Sequence, residues 1–340
     1  LSRASAFLLL PIYTKVLSPG EFGLAMVSLA AGGLLSLVVA PGVERAYLYW
    51  VFQKGGAHFP QRLNIGTVSV LHISLLACSI TMLAIWADAI SQLILPGIAT
   101  WPFYYVVLIV AALTSLAAPL RARWRSQHRA DKVAALELSY AAISISTILI
   151  GLLVVKAGAI SILLGDLFAH IVLLPFYIRR LVPGLLSGWD WKVCRAVMPV
   201  ALVGFPLSLS TWAFSGLDRI FLNWFAGAEE VGIYGAGYQI GAAILILGFI
   251  CNKEWQPLIF SLATKHAQLP ATLQELWTQS LRLFLVGGSL VAFFSDDIVH
   301  RMLGQQYLAS ATIIPFIVTI AVLNVPHFFL VNFGLVCGKT

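Results

Sequence analysis

The feature that most constrains this chain is a series of long, nearly uncharged apolar segments separated by short polar connections. About ten such segments occur, and most are as long as the roughly 20 helical residues that cross a bilayer. Charged residues form only 10% of the chain and hydrophobic residues 60%, whereas an average soluble domain is about 25% charged. Because a spanning segment must satisfy its own backbone hydrogen bonds, the sequence predicts an all-α polytopic membrane protein.

The predicted segments occupy residues 1–16, 22–43, 63–87, 101–120, 133–155, 157–178, 197–225, 231–263, 273–294 and 311–336. Residues 88–100 are predicted to form a surface loop with a short amphipathic piece. The first segment is short and lacks an initiator Met, and a cleaved signal peptide fits it poorly because a Ser-Pro-Gly turn follows. The last segment ends close to the C-terminus, and we expect sequence to be missing at both ends.

Two stretches of the chain repeat the same pattern. Residues 21–23 and 230–232 are Glu-x-Gly triplets that each open a long apolar segment, and they lie 209 residues apart. Nearly the same offset aligns the charged break at residues 42–45 with that at residues 252–255. Duplicated halves are common in transporters. We therefore predict two pseudo-symmetric six-helix lobes, residues 1–180 with helices 1–6 and residues 181–340 with helices 7–10, the second lobe being incomplete.

These stretches also carry a family resemblance. Residues 10–23 read Leu-Pro-Ile-x-x-Lys-x-Leu-Ser-Pro-x-Glu-Phe-Gly, and residues 218–234 contain Asp-Arg-x-x-Leu followed by Glu-x-Gly-x-Tyr. In these motifs the chain resembles the bacterial polysaccharide transporters, the O-antigen and exopolysaccharide flippases of the multidrug/oligosaccharidyl-lipid/polysaccharide exporter superfamily. The resemblance implies a cavity that opens alternately to each side and moves a polyprenyl-diphosphate-linked oligosaccharide outward. It also implies partners among membrane lipids and other polysaccharide-assembly membrane proteins.

The basic residues predict an orientation. With the N-terminus inside, the cytoplasmic connections hold twelve basic residues and the opposite connections three. The twelve are Lys54, Arg62, Arg121, Arg123, Arg125, Arg129, Lys132, Arg179, Arg180, Lys192, Arg195 and Lys265, and the three are Lys15, Lys156 and Arg301. This bias follows the positive-inside rule and predicts a cytoplasmic N-terminus. The resemblance implies that the membrane is the bacterial cytoplasmic (inner) membrane. We attribute the net charge of +7 to such loops near anionic headgroups and not to nucleic-acid binding.

Four arginines within or beside the segments are candidate substrate-binding residues: Arg3, Arg45, Arg219 and Arg282. Their guanidinium groups suit phosphate oxygens and would form a cationic path for a phosphate-bearing lipid. The resemblance implies that they hold the diphosphate and that polar and aromatic groups face the sugars, namely Gln239, Tyr238, Trp212 and Asn223. The alternative is a structural lock in which Glu44 neutralises Arg45 and Asp218 neutralises Arg219, so both acids are also gating candidates.

A second polar group lies in the fifth and sixth segments. Asp166 and His170 are four residues apart on one helix face, and Glu137 lies in the preceding segment. Such groups couple transport to protons in many pumps, so Asp166 and His170 are coupling candidates. The alternative is a hydrogen-bonded contact between helices. Separately, Gly237 and Gly241 share a face on which small residues predict the close approach of another helix.

Other function classes lack a signal in the sequence. No nucleophile-elbow, zinc-protease or nucleotide-binding motif occurs, and the outer connections are short, so we predict a protein that is not an enzyme and uses no cofactor. The four cysteines form no C-x-x-C pair, so we interpret them as packing residues and expect no metal site or disulfide. Two alternatives stay open: a cation- or proton-coupled multidrug antiporter of the same superfamily, and a membrane-embedded glycan polymerase or ligase.

Overall fold

The computed structural model describes residues 2–39, 42, 46, 65–127, 129–185, 190–263 and 269–324, and the regular elements among them are all helical. The first nine α-helices are α1 (Ser2–Val16), α2 (Pro19–Val39), α3 (Ile65–Ile85), α4 (Ala87–Ile94), α5 (Tyr105–Leu116), α6 (Ala118–Ser126), α7 (Ala130–Leu149), α8 (Ile160–Leu185) and α9 (Trp191–Trp212). The remaining five are α10 (Asp218–Ala226), α11 (Ala228–Ala263), α12 (Leu269–Phe293), α13 (Ser295–Met302) and α14 (Ile314–Asn324). The all-α polytopic class is confirmed.

Four helical turns that are tighter or wider than an α-helix connect elements in the described part of the chain. Wide, π-type turns occupy Thr100–Tyr104, Ile150–Val155 and Ala213–Leu217, and a 3-10 turn occupies Gln305–Thr312. The turn at Ala213–Leu217 lies between α9 and α10, so the candidate residue Arg219 follows directly after an irregularity in the helix. Such bulges are frequent at functional sites.

Most of the predicted membrane crossings fall within the described part of the chain. Within the described residues, six helical stretches are long and apolar enough to cross, or eight if each of two bent pairs is one span. The bent pairs are α12 with α13, at 62°, and the 3-10 turn with α14, at 46°. The predicted count of about ten stays a prediction, because parts of the second, third and tenth predicted segments lie outside the described residues. Of the first segment, the structure gives the short apolar helix Phe7–Val16. The predicted eighth segment is one helix, the 36-residue α11.

The order of elements supports the predicted duplication. α2 and α11 begin 209 residues apart, which is the offset of the two Glu-x-Gly triplets. In the first half, α3 is followed after one residue by the eight-residue α4, and in the second half α12 is followed after one residue by the eight-residue α13. An irregular turn and another helix follow in both halves. The predicted short amphipathic piece at residues 88–100 is thus α4, one member of this repeated pair.

The helices pack into two compact units. One comprises residues 1–5 and the described residues of 20–231, and the other comprises residues 6–19 and the described residues from 232 onward. Most of α1 therefore shares a unit with the last helices of the second half. The predicted lobes, residues 1–180 and 181–340, stay a prediction, because units defined by packing and halves defined by a repeat need not coincide.

Two apolar clusters lie among the described residues of the first unit. One cluster places Trp124 of α6 with Leu136 of α7 and Tyr177 of α8, all buried. The other includes Cys194 of α9, which agrees with its predicted packing role, whereas Cys78 on α3 is exposed. The Cys251 side chain and Cys337 lie outside the described part of the chain. Both clusters hold the helices that surround the polar residues of this unit.

The second unit is closely packed around α11. A Cβ atom added at Gly237 would lie 2.6 Å from the backbone oxygen of Ser310, and one added at Gly241 would lie 2.7 Å from Cβ of Ile317. These distances are shorter than real Cβ contacts, so only glycine fits there. The predicted close approach at this glycine face is confirmed.

Candidate functional site

Arg219 lies in the first turn of α10 and is half-buried. Its guanidinium Nη1 donates to the carbonyl oxygen of Ser215 at 3.2 Å, and Ser215 lies one turn earlier, in the wide turn. Asp218 Oδ1 accepts a hydrogen bond of 2.9 Å from the backbone N–H of Arg219. The side chains of Asp218 and Arg219 are therefore both hydrogen-bonded to the backbone at the start of α10. There the wide turn interrupts the regular hydrogen-bond pattern of an α-helix.

The far end of α10 is hydrogen-bonded to the last turn of α4 and to the segment that follows it. Asn223 is buried, and its Nδ2 donates to Pro96 O at 2.9 Å. Trp224 Nε1 donates to Leu93 O at 2.9 Å. Asn223 therefore anchors α10 in this structure, as Trp212 anchors α9 by donating from Nε1 to Ala30 O at 3.0 Å. The sugar contacts expected for Asn223 and Trp212 stay predictions.

The other predicted substrate-binding residues are distributed over the chain. Arg282 on α12 is exposed, and Gln239 on α11 is half-buried; both belong to the second unit, whereas Arg219 belongs to the first. Arg3 lies on α1, but its side chain is outside the described part of the structure, as are Glu44 and Arg45. The cationic path of four arginines therefore stays a prediction.

Asp166 and His170 face two neighbouring helices in the first unit. Asp166 Oδ1 accepts hydrogen bonds from Tyr140 Oη at 2.8 Å and from Ser144 Oγ at 2.9 Å, both on α7. His170 Nε2 lies 2.9 Å from Thr114 Oγ1 on α5, and the His170 ring centroid is 4.7 Å from that of Tyr140. The face shared by Asp166 and His170 therefore makes hydrogen-bonded contacts with α7 and α5. Such a contact is the alternative that the sequence offered to proton coupling. The coupling role of the two residues stays a prediction.

Small residues bring α7 and α8 close enough for these bonds. A Cβ atom added at Gly165 would lie 3.0 Å from the carbonyl oxygen of Ser144, and one added at Gly151 would lie 2.9 Å from Ser161 Oγ. Because the backbones approach this closely, Asp166 is held beside the hydroxyl groups of α7. Glu137, predicted as part of the same group, is half-buried one turn before Tyr140 on α7.

A cavity of about 200 Å³ adjoins this cluster. Its polar lining comes from α2, α5, α7 and α8, and its polar side chains are Ser28, Ser36, Thr114, Tyr140 and Asp166. Gly32 and Gly33 of α2 also line it. Sequence reasoning identified Asp166 but missed the contribution of α2. The available signal was the spacing of Ser28, Gly32 and Ser36, which places three small residues on one helix face.

A second histidine also makes a hydrogen bond to α5. His72 of α3 is buried, and its Nε2 lies 2.8 Å from Ser115 O and 3.3 Å from Ser115 Oγ. Thr114 and Ser115 are consecutive, so α5 binds His170 on α8 with one residue and His72 on α3 with the next. This arrangement joins α3 and α8 to α5, and of these three helices α5 and α8 line the cavity. The sequence showed His72 inside an apolar segment but gave no indication of its partner.

Of three comparisons of the chain with known proteins, one finds a match, to a protein family. The sequence model of a family described as polysaccharide biosynthesis protein matches residues 1–263, which is more than half of the chain. Searches of curated proteins and of solved structures give no match. The matched residues include α1 to α11, and therefore both Arg219 and the cavity of the first unit.

Proposed function

Because the chain belongs to the polysaccharide biosynthesis protein family, we propose that it is a flippase for a lipid-linked oligosaccharide in the bacterial cytoplasmic membrane. It would move a polyprenyl-diphosphate-linked glycan from the cytoplasmic to the outer leaflet, with its N-terminus in the cytoplasm. The observation that carries the proposal is the family match over residues 1–263 in a chain whose helices include at least six long enough to cross a membrane. No catalytic step is required of it.

Arg219 is the residue best placed to bind the diphosphate. An arginine presents a planar fork of donors that matches phosphate oxygens, and its charge persists at any physiological pH. In this structure the Nη1 atom of Arg219 donates to Ser215 O, and this bond holds the guanidinium on the wide turn before α10. A half-buried cation in a membrane segment is costly to keep, so its retention favours a functional role.

The function is tested by deleting the gene in its host. We expect polyprenyl-diphosphate-linked glycan to accumulate in the cytoplasmic leaflet and surface glycan to disappear, as measured by leaflet-specific lectin or enzymatic labelling of membrane vesicles. Reintroduction of the wild-type gene should restore export. Accumulation in the outer leaflet instead would indicate the membrane-embedded polymerase or ligase. Altered drug susceptibility with normal glycan export would indicate the multidrug antiporter.

The role of Arg219 is tested in the same strain with four variants. If the guanidinium binds diphosphate, Arg219→Lys keeps the charge but loses two-point contact, and Arg219→Ala loses both, so export per inserted protein should fall in that order. Asp218→Asn should then be mild. If the pair is a structural lock, either single change leaves a buried charge at a cost of about 3–5 kcal/mol. The double variant Asp218→Asn with Arg219→Gln should then restore protein level.

A further inference from the structure

The cavity of the first unit is lined by oxygen atoms of several kinds. Asp166 contributes a carboxylate, and Ser28, Ser36, Thr114 and Tyr140 contribute hydroxyl groups. Its volume of about 200 Å³ is below the roughly 300–1,000 Å³ of pockets that hold drug-sized ligands. One water takes about 30 Å³ in the liquid, so the cavity has room for an ion and a few waters but not for an oligosaccharide.

Ser28 gives an independent indication of a ligand. Its side chain is 0% exposed, and its Oγ has no hydrogen-bond partner among the residues that the structure describes. A buried polar atom left unpaired destabilises the fold, so native proteins rarely keep one without a reason. Ser36, two turns later on α2, differs because its Oγ donates to Gly33 O at 2.8 Å. Ser28 therefore offers the cavity an oxygen that its own helix does not use.

The charge of Asp166 indicates what kind of ligand fits. The two described side chains that hydrogen-bond to Asp166 are neutral hydroxyls, and both bonds are made to Oδ1. His170 on the same helix is joined to Thr114, and the Arg121 guanidinium donates to Thr114 O, so these basic groups contact α5. A single carboxylate suits an ion of one positive charge, since calcium sites use several carboxylates and softer metals favour nitrogen or sulfur ligands.

We propose that this cavity binds a monovalent hard cation of the sodium type, with Asp166 and Ser28 among its oxygen ligands. Tyr140 and Ser144 act as positioning residues, because they hold Oδ1 and leave Oδ2 for the ion. Binding would neutralise an acid that is expensive to keep in a membrane segment. That the ion drives transport rests on the proposed function, whereas the binding itself does not.

The test is equilibrium binding of ²²Na⁺ to the purified, detergent-solubilised 340-residue chain, with choline chloride to hold ionic strength constant. We expect saturable binding of about one ion per chain, displaced by Li⁺ and not by choline. Asp166→Asn should weaken Na⁺ binding at least ten-fold. Asp88→Asn, which changes an exposed acid on α4, is the matched control and should bind as the wild type does.

The variant Ser28→Ala tests whether Ser28 is a ligand of the ion or only a structural residue. It remains informative if Asp166→Asn fails to fold. It removes an oxygen that has no partner in the described protein, so the variant should unfold at the same temperature as the wild type or a higher one. We nevertheless expect several-fold weaker Na⁺ binding. Absence of saturable Na⁺ binding by the folded wild type, or equal affinity in wild type and Ser28→Ala, would overturn the proposal. Neither result depends on glycan export, so the flippase assignment stands or fails separately.

Discussion

The helices α2 and α11 occupy equivalent places in the two halves but use their small residues differently. At the 209-residue offset, Ser28 and Gly32 of α2 correspond to Gly237 and Gly241 of α11. On α2 this face borders the cavity beside Asp166. On α11 it is closed by Ser310 and Ile317, which come within 2.6 and 2.7 Å of where a Cβ atom would be. The repeat therefore preserves the position of a small-residue face, and the neighbouring side chains decide whether that face encloses a cavity or packs tightly.

The largest effect is expected where the α11 face is closed. Gly237→Ala and Gly241→Ala should each destabilise the protein by about 1–3 kcal/mol, because overpacking a filled site forces the backbone or a branched side chain to move. At Gly237 the obstructing atom is the backbone oxygen of Ser310, which cannot rotate away. The measurement is thermal unfolding of detergent-solubilised protein, followed by tryptophan fluorescence.

Gly287→Ala on α12 is the matched control for these two variants. A Cβ atom there meets nothing within 4 Å, so the substitution should be neutral or stabilising by up to about 1 kcal/mol through helix propensity. If Gly237→Ala and Gly287→Ala unfolded at the same temperature, the tight packing of α11 would be wrong and the contrast with α2 would disappear.

An effect of similar size is expected at the cavity side. Tyr140→Phe removes one of the two hydroxyl donors to Asp166 Oδ1, and hydrogen bonds to charged groups contribute about 1.5–3 kcal/mol. The ring contact with His170 persists in phenylalanine, so the loss should report the hydroxyl alone. Tyr105→Phe is the control, since Tyr105 contributes ring contacts with Trp101 and Tyr104. Equal unfolding temperatures for the two variants would show that Asp166 does not depend on Tyr140.

The turns after α4 and α13 should respond alike, because each contains a fully buried tyrosine that donates to a backbone carbonyl. Tyr104 Oη donates to Leu83 O at 2.8 Å, and Tyr307 Oη donates to Leu17 O at 3.1 Å. Tyr104→Phe and Tyr307→Phe should each cost about 1–2 kcal/mol, since a buried carbonyl loses its partner. A large difference between them in chemical or thermal unfolding would mean that only one half depends on this anchor.

The sequence was sufficient for the coarse architecture because apolar length and the positions of glycine carry that information. The helical class, the short amphipathic helix α4, the 209-residue offset and the close approach at Gly237 and Gly241 all follow from it. The bends between helices do not follow from it, because hydropathy does not indicate where a helix changes direction. The bend of 62° between α12 and α13 lies at the end of the predicted segment 273–294, so α13 occupies the connection that follows this segment.

The candidate site was less predictable, because its polar residues act through partners far away in the sequence. Ser28 and Ser36 look alike in an apolar helix and both line the cavity, yet Ser36 Oγ donates to Gly33 O whereas Ser28 Oγ has no partner among the described residues. Asn223 follows Arg219 by one turn and suggested a sugar contact, whereas its amide donates to Pro96, 127 residues away. Only the fold determines which of these groups are used in packing and which remain for a ligand.

The smallest effect, and the most direct comparison of the two halves, is expected for Gly32→Ala on α2. Gly32 is the counterpart of Gly241, but a Cβ atom there would lie 3.2 Å from Val107 Cγ1, a side-chain atom that can move by a few tenths of an ångström. The gain in helix propensity, about 1 kcal/mol, should roughly offset that adjustment, so stability should change by less than about 1 kcal/mol. The added methyl would still narrow the cavity that Gly32 lines. We therefore expect Gly32→Ala to unfold near the wild-type temperature while binding ²²Na⁺ less tightly, whereas Gly241→Ala should lose stability first. If Gly32→Ala were as unstable as Gly241→Ala, the α2 face would be as tightly packed as the α11 face, and the difference between the halves would lie elsewhere.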